Sequence, residues 1–173
     1  MKRVVIIGTT GSGKTTLGKQ ISEKLNIPQI ELDALSWLPG WQNKPVEQFR
    51  ADVQAALAGE AWVVDGNYSK VRDIVWGQAD TLIWLDYSFV LISWRLFKRS
   101  IKRSVSREDL WGTGNRETLR TQFLSRDSLF NWARKTHFSR RKTYPIAMKD
   151  YPHLTIVHLK SVRETERWIG ENL

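Results

Sequence analysis

An octapeptide near the beginning of the chain has the residue types and the spacing of a phosphate-binding loop. Residues 8–15 read Gly-Thr-Thr-Gly-Ser-Gly-Lys-Thr, which fits the Walker A pattern G-x-x-x-x-G-K-[ST]. The glycines let the backbone turn tightly and direct successive N–H groups into one concavity, and the helix that follows adds the positive end of its dipole. This loop predicts a binding site for a nucleoside triphosphate.

The residues of the loop have separate predicted roles. Lys14 is expected to reach the β- and γ-phosphate oxygens and to act in catalysis, and the Thr15 hydroxyl to ligate the Mg²⁺ that bridges them. The other residues predicted to hold the phosphates are Gly8, Gly11, Ser12, Gly13 and Thr16. The alternative is a chance glycine-rich turn, but an apolar run ends at the first glycine and a helical pattern follows the last.

Two aspartates stand at the ends of short runs that are predicted to be strands. Asp65 follows residues 61–64 and is predicted to order Mg²⁺, usually through water, although a turn aspartate is the alternative. Asp33 ends residues 29–33, and ligands of open α/β sheets gather at the carboxyl ends of strands. A carboxylate there can orient an acceptor hydroxyl and accept its proton, or it can merely cap the next turn.

The elements that must position these residues alternate between strands and helices. The strands are predicted at residues 2–7, 29–33, 61–64, 81–85 and 154–159. The helices are predicted at residues 13–25, 45–57, 69–76, 88–104, about 116–149 with an interruption near Pro145, and 161–173. This order predicts an α/β three-layer fold with a five-stranded parallel sheet and right-handed crossovers, a P-loop NTPase fold in one domain, residues 1–173.

The net charge of +9 is concentrated in one part of the chain. Residues 95–142 contain 14 Lys and Arg against 4 Asp and Glu. Such a segment suits an arginine-rich lid, at about residues 104–142, that closes over a polyphosphate. A basic arm that binds nucleic acid would have the same composition. Residues 34–60 carry a loop and a helix, and are where an acceptor site is expected.

The predicted helix at residues 88–104 has two faces, and the apolar one is expected to pack while the basic one meets ligand or solvent. The apolar face consists of Val90, Trp94, Phe97, Ile101 and Val105, and the basic face of Arg95, Lys98, Arg99, Lys102 and Arg103. Of the tryptophans, those at 62, 84 and 94 are predicted to lie in the core. Those at 37, 41 and 111 lie in loops and could stack on a base or cover the edge of the core.

Composition narrows the class of protein. A chain of 173 residues with 41% hydrophobic content fits one domain with a real core. Cysteine is absent and the three histidines lack a metal-ligand spacing, so the expected metal is the Mg²⁺ that arrives with the nucleotide. Apolar stretches fall far short of the roughly 20 residues that a membrane span needs. A cytoplasmic protein is therefore expected.

The chain resembles the adenylate-kinase-like P-loop phosphotransferases over essentially its whole length. Residues 8–15 are similar to the family's phosphate loop, and residues 62–66 to its apolar-apolar-Asp-Gly strand. Arg95 and Arg99 resemble the arginine pair that covers adenine and clamps phosphates. The resemblance also implies that arginines on the helix after the lid reach the transferring phosphoryl group, and these are Arg134, Arg140 and Arg141.

A narrower resemblance is to the branch labelled topology modulation protein, or FlaR-related. It rests on five short runs, at residues 33–35, 39–41, 65–68, 110–112 and 114–117. Ser69 stands where adenylate kinases have an arginine for an acceptor phosphate, so Lys70 or Arg72 would have to replace it. Asp33 is similar in position to the aspartate that small-metabolite kinases use against an acceptor hydroxyl.

The function expected from these residues is that of a kinase, an ATP- and Mg²⁺-dependent phosphotransferase with an unidentified small acceptor. Positioning and charge stabilisation are most of what phosphoryl transfer requires, and a phosphate loop, Mg²⁺ and arginines supply both. One alternative is a nucleic-acid-binding regulator of DNA topology with ATP as a switch. Another is an ATPase without an acceptor.

Overall fold

Five short runs form one parallel sheet, which from edge to edge consists of β2 (Gln29–Glu31), β5 (Trp62–Asp65), β1 (Arg3–Gly8), β6 (Thr81–Leu85) and β7 (Thr155–Leu159). The computed structural model describes residues 1–106, 109–117 and 128–173. A separate antiparallel pair is formed by β3 (Trp37–Leu38) and β4 (Gln42–Asn43). The predicted α/β class and five-stranded parallel sheet are confirmed.

Helices cover both faces of the sheet. They are α1 (Lys14–Leu25), α2 (Leu32–Ser36), α3 (Val46–Ala56), α4 (Arg72–Gln78), α5 (Phe89–Ser106), α6 (Leu129–Met148) and α7 (Val162–Asn172), with 3₁₀ turns at Pro39–Trp41 and Ser69–Val71. Successive strand residues point to opposite faces, so Val5 and Ile7 belong to one core cluster while Val4 and Ile6 belong to the other. This two-sided burial explains why β1 is apolar at consecutive positions.

The central position of β1 places the phosphate loop at the middle of the sheet's carboxyl edge. Strand β1 pairs with β5 on one side and β6 on the other, with Ile6 opposite Asp65 and Gly8 opposite Leu85. The chain leaves β1 toward β2 on one side, whereas β6 and β7 lie on the other side. Ligands of open α/β sheets bind at such a switch point.

The second strand is shorter than predicted, and this changes the setting of Asp33. Strand β2 ends at Glu31, and Asp33 lies in the first turn of helix α2 instead of at the end of a strand. The reason is Leu32, which is buried beneath Gly66: a Cβ atom on Gly66 would lie 2.7 Å from the Leu32 Cβ. The chain turns inward at Leu32, so the strand stops there.

The prediction that the apolar stripe of helix α5 packs against the core is wrong. Its buried line is Ile92, Leu96 and Ser100. The stripe itself is exposed at Val90, Trp94, Phe97, Ile101 and Val105, so Trp94 is not a core residue, whereas Trp62 and Trp84 are buried as predicted. No helix within the described ranges is both long and apolar enough to cross a membrane.

The long helix predicted from about residue 116 to residue 149 begins at Leu129 and ends at Met148. Residues 116–117 are not helical, and residues 118–127 lie outside the described residues. Helix α6 starts after Ser128, whose Oγ accepts a hydrogen bond from the Asn131 N–H at 3.3 Å. It passes through Pro145, where an interruption was predicted. Buried Tyr144 holds this part of the helix against the core, which offsets the one backbone hydrogen bond that proline cannot make.

Replacing Gly66 with alanine should cost more stability than replacing Gly40. Both glycines have positive φ, 148° and 72°, but a Cβ on Gly66 meets Leu32 while one on Gly40 meets nothing within 4 Å. The backbone strain costs about 1–3 kcal/mol in either variant, and the forced shift of Leu32 adds about 1–3 kcal/mol. Urea denaturation of Gly66→Ala and Gly40→Ala measures both losses. Equal losses in the two variants would show that the Leu32 contact does not matter.

Candidate active site

The phosphate loop has a backbone geometry that leaves helix α1 open at its start. Gly11 and Gly13 have φ values of 82° and 98°, in the region that favours glycine. Gly13 is the N-cap of α1 and supplies no side-chain cap, so the first N–H groups of the helix are available to an anion. The loop thus has the shape that its sequence predicts for phosphate.

Lys14 lies beneath this loop among charges of both signs. Its ammonium donates to the Thr9 carbonyl at 3.4 Å. Burial lowers the pKa of Lys14 to about 8, the nearby carboxylates of Asp65 and Asp33 act in the opposite direction, and the guanidiniums of Arg140 and Arg99 lower it further. Two carboxylates and two guanidiniums therefore lie close enough to Lys14 to influence its pKa.

The two residues predicted to hold Mg²⁺ are in direct contact. The Thr15 hydroxyl donates to Asp65 Oδ1 at 3.2 Å, and Gln29 Nε2 donates to Asp65 Oδ2 at 3.0 Å. Burial raises the pKa of Asp65 to about 6, Lys14 lowers it, and the neighbouring carboxylates Glu31 and Asp33 raise it. Hydroxyl and carboxylate oxygens are ligands that Mg²⁺ prefers, and a cation beside Asp65 would stabilise its ionised form. The residues present fit a Mg²⁺ ion.

The arginine pair of helix α5 lies on the phosphate loop. Arg95 Nη1 donates to the Ser12 carbonyl at 3.1 Å, and Arg99 Nη2 donates to the Thr10 hydroxyl at 3.2 Å. The Arg95 guanidinium also lies 5.4 Å from the centre of the Tyr87 ring. The helix thus brings two of the predicted nucleotide-binding residues to the loop.

The arginines of helix α6 are arranged differently from the prediction. Arg134 is exposed, and Arg141 Nε donates to Asp86 Oδ1 at 2.7 Å, so the structure does not bring either to the phosphate loop. Arg140 is the buried one, because it shares the inward face of α6 with Ala133, His137 and Tyr144. Its Nη1 is buried without a hydrogen-bond partner among the described residues. The spacing of that buried face, at 133, 137, 140 and 144, is the signal that would have singled out Arg140.

Asn67 ties β5 to the phosphate loop, a role that the sequence did not indicate. Its Oδ1 accepts from the Gly8 N–H at 3.0 Å, and its Nδ2 donates to the Gly8 carbonyl at 2.6 Å. The Tyr144 hydroxyl donates to the same Oδ1 at 3.0 Å. One amide therefore fixes both backbone polar groups of the residue at which the loop begins. Only its place after the Asp65-Gly66 pair could have drawn attention to it.

Asp33 lies on the wall of a large cleft that also contains the phosphate loop. The cleft has a volume of about 1510 Å³, and both Lys14 and Asp33 line it. The Tyr68 hydroxyl donates to Asp33 Oδ1 at 2.6 Å, and burial together with the Asp33 charge raises the pKa of Tyr68. Lys70 lines the same cleft, whereas the Arg72 guanidinium lies 4.9 Å from the centre of the Trp76 ring.

Part of the predicted lid contacts the predicted acceptor segment. Asn115 Nδ2 donates to the Leu38 carbonyl at 2.9 Å, and the Trp41 N–H donates to Asn115 Oδ1 at 2.9 Å. The Arg103 guanidinium and the Glu117 carboxylate form an ion pair at 3.0 Å. Residues 109–117 thus span the cleft, while residues 107–108 and 118–127 of the predicted lid lie outside the described residues.

Comparison with solved structures identifies the fold. A gluconokinase from Sinorhizobium meliloti superimposes with a TM-score of 0.53 at 20% sequence identity, over 98% of this chain and 92% of that one. A shikimate kinase from Bacteroides thetaiotaomicron gives a TM-score of 0.53 at 18% identity, over 98% of this chain and 95% of that one. The fold is that of the P-loop kinases.

Sequence similarity to curated proteins extends over a short segment of the chain. Shikimate kinases from Caldicellulosiruptor bescii and Caldicellulosiruptor saccharolyticus are 56% and 50% identical over 34 residues, which is 20% of this chain and 20% of each relative. The chain therefore spans about a fifth of the length of the curated relatives it matches. No protein-family model matches it.

The role of Asn67 is tested by Asn67→Ala. This change leaves the N–H and carbonyl groups of Gly8 without their side-chain partners, which should cost about 1–3 kcal/mol in the free energy of unfolding. A loosened loop should also bind the non-hydrolysable analogue AMP-PNP with Mg²⁺ about tenfold more weakly. Asn172→Ala is the control, because within the described residues that amide bonds the Trp168 carbonyl, far from the phosphate loop in the sequence. Calorimetric affinity equal to that of the unmodified protein would refute this role.

Proposed function

We propose that this protein is an ATP- and Mg²⁺-dependent kinase that transfers the γ-phosphoryl group to a hydroxyl of a small molecule. The observation that carries the proposal is that one cleft is lined both by Lys14 of the phosphate loop and by Asp33, whose charge acts on Lys14. Solved structures with this fold include proteins named gluconokinase and shikimate kinase, which supports a small-molecule acceptor. With ATP as the donor, the cytoplasm is the proposed location.

Residues of the phosphate loop would bind and orient the triphosphate. Lys14 and the α5 guanidiniums of Arg95 and Arg99 supply positive charge beside the loop, where negative charge spreads over the phosphoryl oxygens during transfer. Thr15 and Asp65 would hold Mg²⁺, which when bound neutralises charge on the phosphate oxygens. Buried Arg140, with an unpartnered Nη1 among the described residues, is the proposed α6 contribution in place of the predicted Arg134 and Arg141, which do not reach the loop.

Asp33 would take the proton of the acceptor. In the proposed step the acceptor oxygen forms a bond to the γ-phosphorus, the bond from that phosphorus to the bridging oxygen breaks, and ADP leaves. The hydroxyl proton passes to the Asp33 carboxylate, which Tyr68 holds in place by the hydrogen bond of 2.6 Å. Because Asp33 lines the cleft and its charge acts on Lys14, an acceptor hydroxyl bound at Asp33 would lie close to the phosphates held by the loop.

A hydroxyl suits this site better than a phosphate monoester. Two like charges ~4 Å apart cost about 4 kcal/mol at an effective dielectric constant near 20, so an acceptor phosphate beside Asp33 would need compensating cations. Of the two candidates for that role, Arg72 lies over the Trp76 ring and Lys70 alone lines the cleft. The acceptor hydroxyl is therefore the proposed reacting group.

The nucleic-acid alternative receives less support. Three arginines of the basic segment turn inward, since Arg95 and Arg99 contact the phosphate loop and Arg103 pairs with Glu117. Their charge serves the cleft and not an external surface. The resemblance to the topology modulation branch stays a prediction about lineage, and it assigns no chemistry.

Lys14→Ala should abolish turnover and weaken AMP-PNP binding while leaving the melting temperature close to that of the unmodified protein. Among the described residues the Lys14 ammonium makes one weak hydrogen bond, to the Thr9 carbonyl. Its loss therefore removes little packing. Lys19→Ala, on the exposed side of α1, is the matched control. ADP release measured with a panel of hydroxylated metabolites, nucleosides and nucleotides reports turnover. If Lys14→Ala matches the control in both assays, the proposed function is wrong.

Asp33→Asn should lower kcat severely with a hydroxyl acceptor and leave the affinity for AMP-PNP nearly unchanged, because the amide cannot accept the proton. Tyr68→Phe should reduce kcat less, since it removes only the hydrogen bond that orients the carboxylate. The opposite outcome would be tighter binding of a nucleoside monophosphate with turnover preserved. That result would replace the hydroxyl acceptor by a nucleotide.

A further inference from the structure

Three tryptophans form a corner at the acceptor end of the cleft. The rings of Trp37 and Trp41 have centroids 5.5 Å apart and planes at 81°, and those of Trp41 and Trp111 are 6.3 Å apart with planes at 86°. All three line the cleft. Rings that meet edge to face present π-faces in several directions, which suits a compact cation better than a flat ligand.

Two of these tryptophans have a strained backbone conformation. Trp41 and Trp111 have φ values of 58° and 59°, and Asn26 is the one further residue besides glycine with positive φ among the described residues. Asn115 fixes the Trp41 backbone through the Trp41 N–H. Large side chains seldom adopt this conformation, and where the surroundings enforce it the position is often functional. The tryptophan corner is thus maintained at a cost to the local backbone.

The charges beside the corner are mainly negative. Trp111 Nε1 donates to Glu31 Oε2 at 3.3 Å, so one carboxylate lies directly against the rings. Asp33 and Asp109 line the same cleft, and Asp109 lies in the same turn as Trp111, where it accepts a hydrogen bond from the Gly114 N–H. Two lysines of the neighbouring segments also line the cleft. Lys44 is ion-paired with Asp52, so Lys70 is the described lysine that could offset the negative charge of these carboxylates.

We propose that the acceptor carries a protonated amine as well as the reacting hydroxyl, as amino alcohols and amino sugars do. The ammonium group would lie against the tryptophan corner and the Glu31 carboxylate, and the hydroxyl would lie near Asp33. Cation–π contact with tryptophan and ionic contact with Glu31 both favour the charged amine over an uncharged group of the same shape. A carboxylate acceptor would instead face the acidic side chains. The phosphoryl step rests on the proposed function, whereas binding of the amine does not.

The test measures binding of matched small molecules to the full chain saturated with AMP-PNP and Mg²⁺. Ethanolamine is compared with its uncharged isostere 1-propanol, and D-glucosamine with D-glucose and D-gluconate, by titration calorimetry. Each amine is expected to bind at least about tenfold more tightly than its neutral partner, and D-gluconate most weakly. Equal or tighter binding of a neutral or acidic compound would overturn the inference, and so would failure of both amines to bind.

Two variants locate the binding in the corner. Glu31→Gln and Trp111→Leu should each weaken binding of the better amine about tenfold, and Glu31→Gln should change binding of its neutral partner by less than about twofold. Trp94→Leu is the control, since Trp94 is exposed on α5 and does not line the cleft. Equal losses in the Trp94 and Trp111 variants would overturn the assignment of the site.

The same experiment separates this inference from the proposed kinase function. If the amines bind through Glu31 and Trp111 but none supports ADP release that depends on Lys14, the binding site stands and the kinase proposal fails. If D-glucose or D-gluconate supports Lys14-dependent release while the amines do not bind, the kinase proposal stands and the amine inference fails.

Discussion

The close contact between the phosphate loop and helix α5 constrains much of the structure. A Cβ atom on Gly11 would lie 2.9 Å from the Ile92 carbonyl oxygen and 3.4 Å from the Leu96 Cβ, so a side chain at residue 11 would push the helix away. This contact fixes which side of α5 faces inward and places Arg95 and Arg99 over the loop. The same orientation of α5 leaves its apolar stripe, which begins at Val90, exposed to solvent. The arginine contacts and the exposed apolar face are therefore consequences of one packing contact.

The sequence predicted the parts of the fold that depend on local pattern. Strand β6 occupies the predicted residues 81–85, because a buried run bounded by polar residues has few alternatives. The positions of Asp33 and Arg140 depend instead on tertiary contacts. Leu32 turns inward because Gly66 leaves room for it, and Arg140 turns inward because it shares a helix face with Tyr144. Helical periodicity identifies possible faces, but tertiary contacts decide which one is buried.

Electrostatics at the loop favour a ligand with separated charges. Burial shifts the pKa of Lys14 down to about 8 and that of Asp65 up to about 6, so each group is shifted toward its neutral form. An anionic triphosphate beside Lys14 and a cation beside Asp65 would reverse both shifts. The site is thus complementary to a metal-bound polyphosphate, and this complementarity resides in groups that the loop and β5 bring within hydrogen-bond or electrostatic reach.

Residues 109–117 connect the two ends of the cleft. On the acceptor side, Trp111 bonds Glu31 and Asn115 bonds the backbone of Leu38 and Trp41. On the nucleotide side, Glu117 pairs with Arg103, one turn beyond Arg99 on the same helix. Movement of this segment would disturb the tryptophan corner and the end of α5 together. Occupation of the proposed acceptor end should therefore help to hold the helix that presents Arg95 and Arg99 to the phosphate loop, and we expect binding at the two ends of the cleft to be coupled.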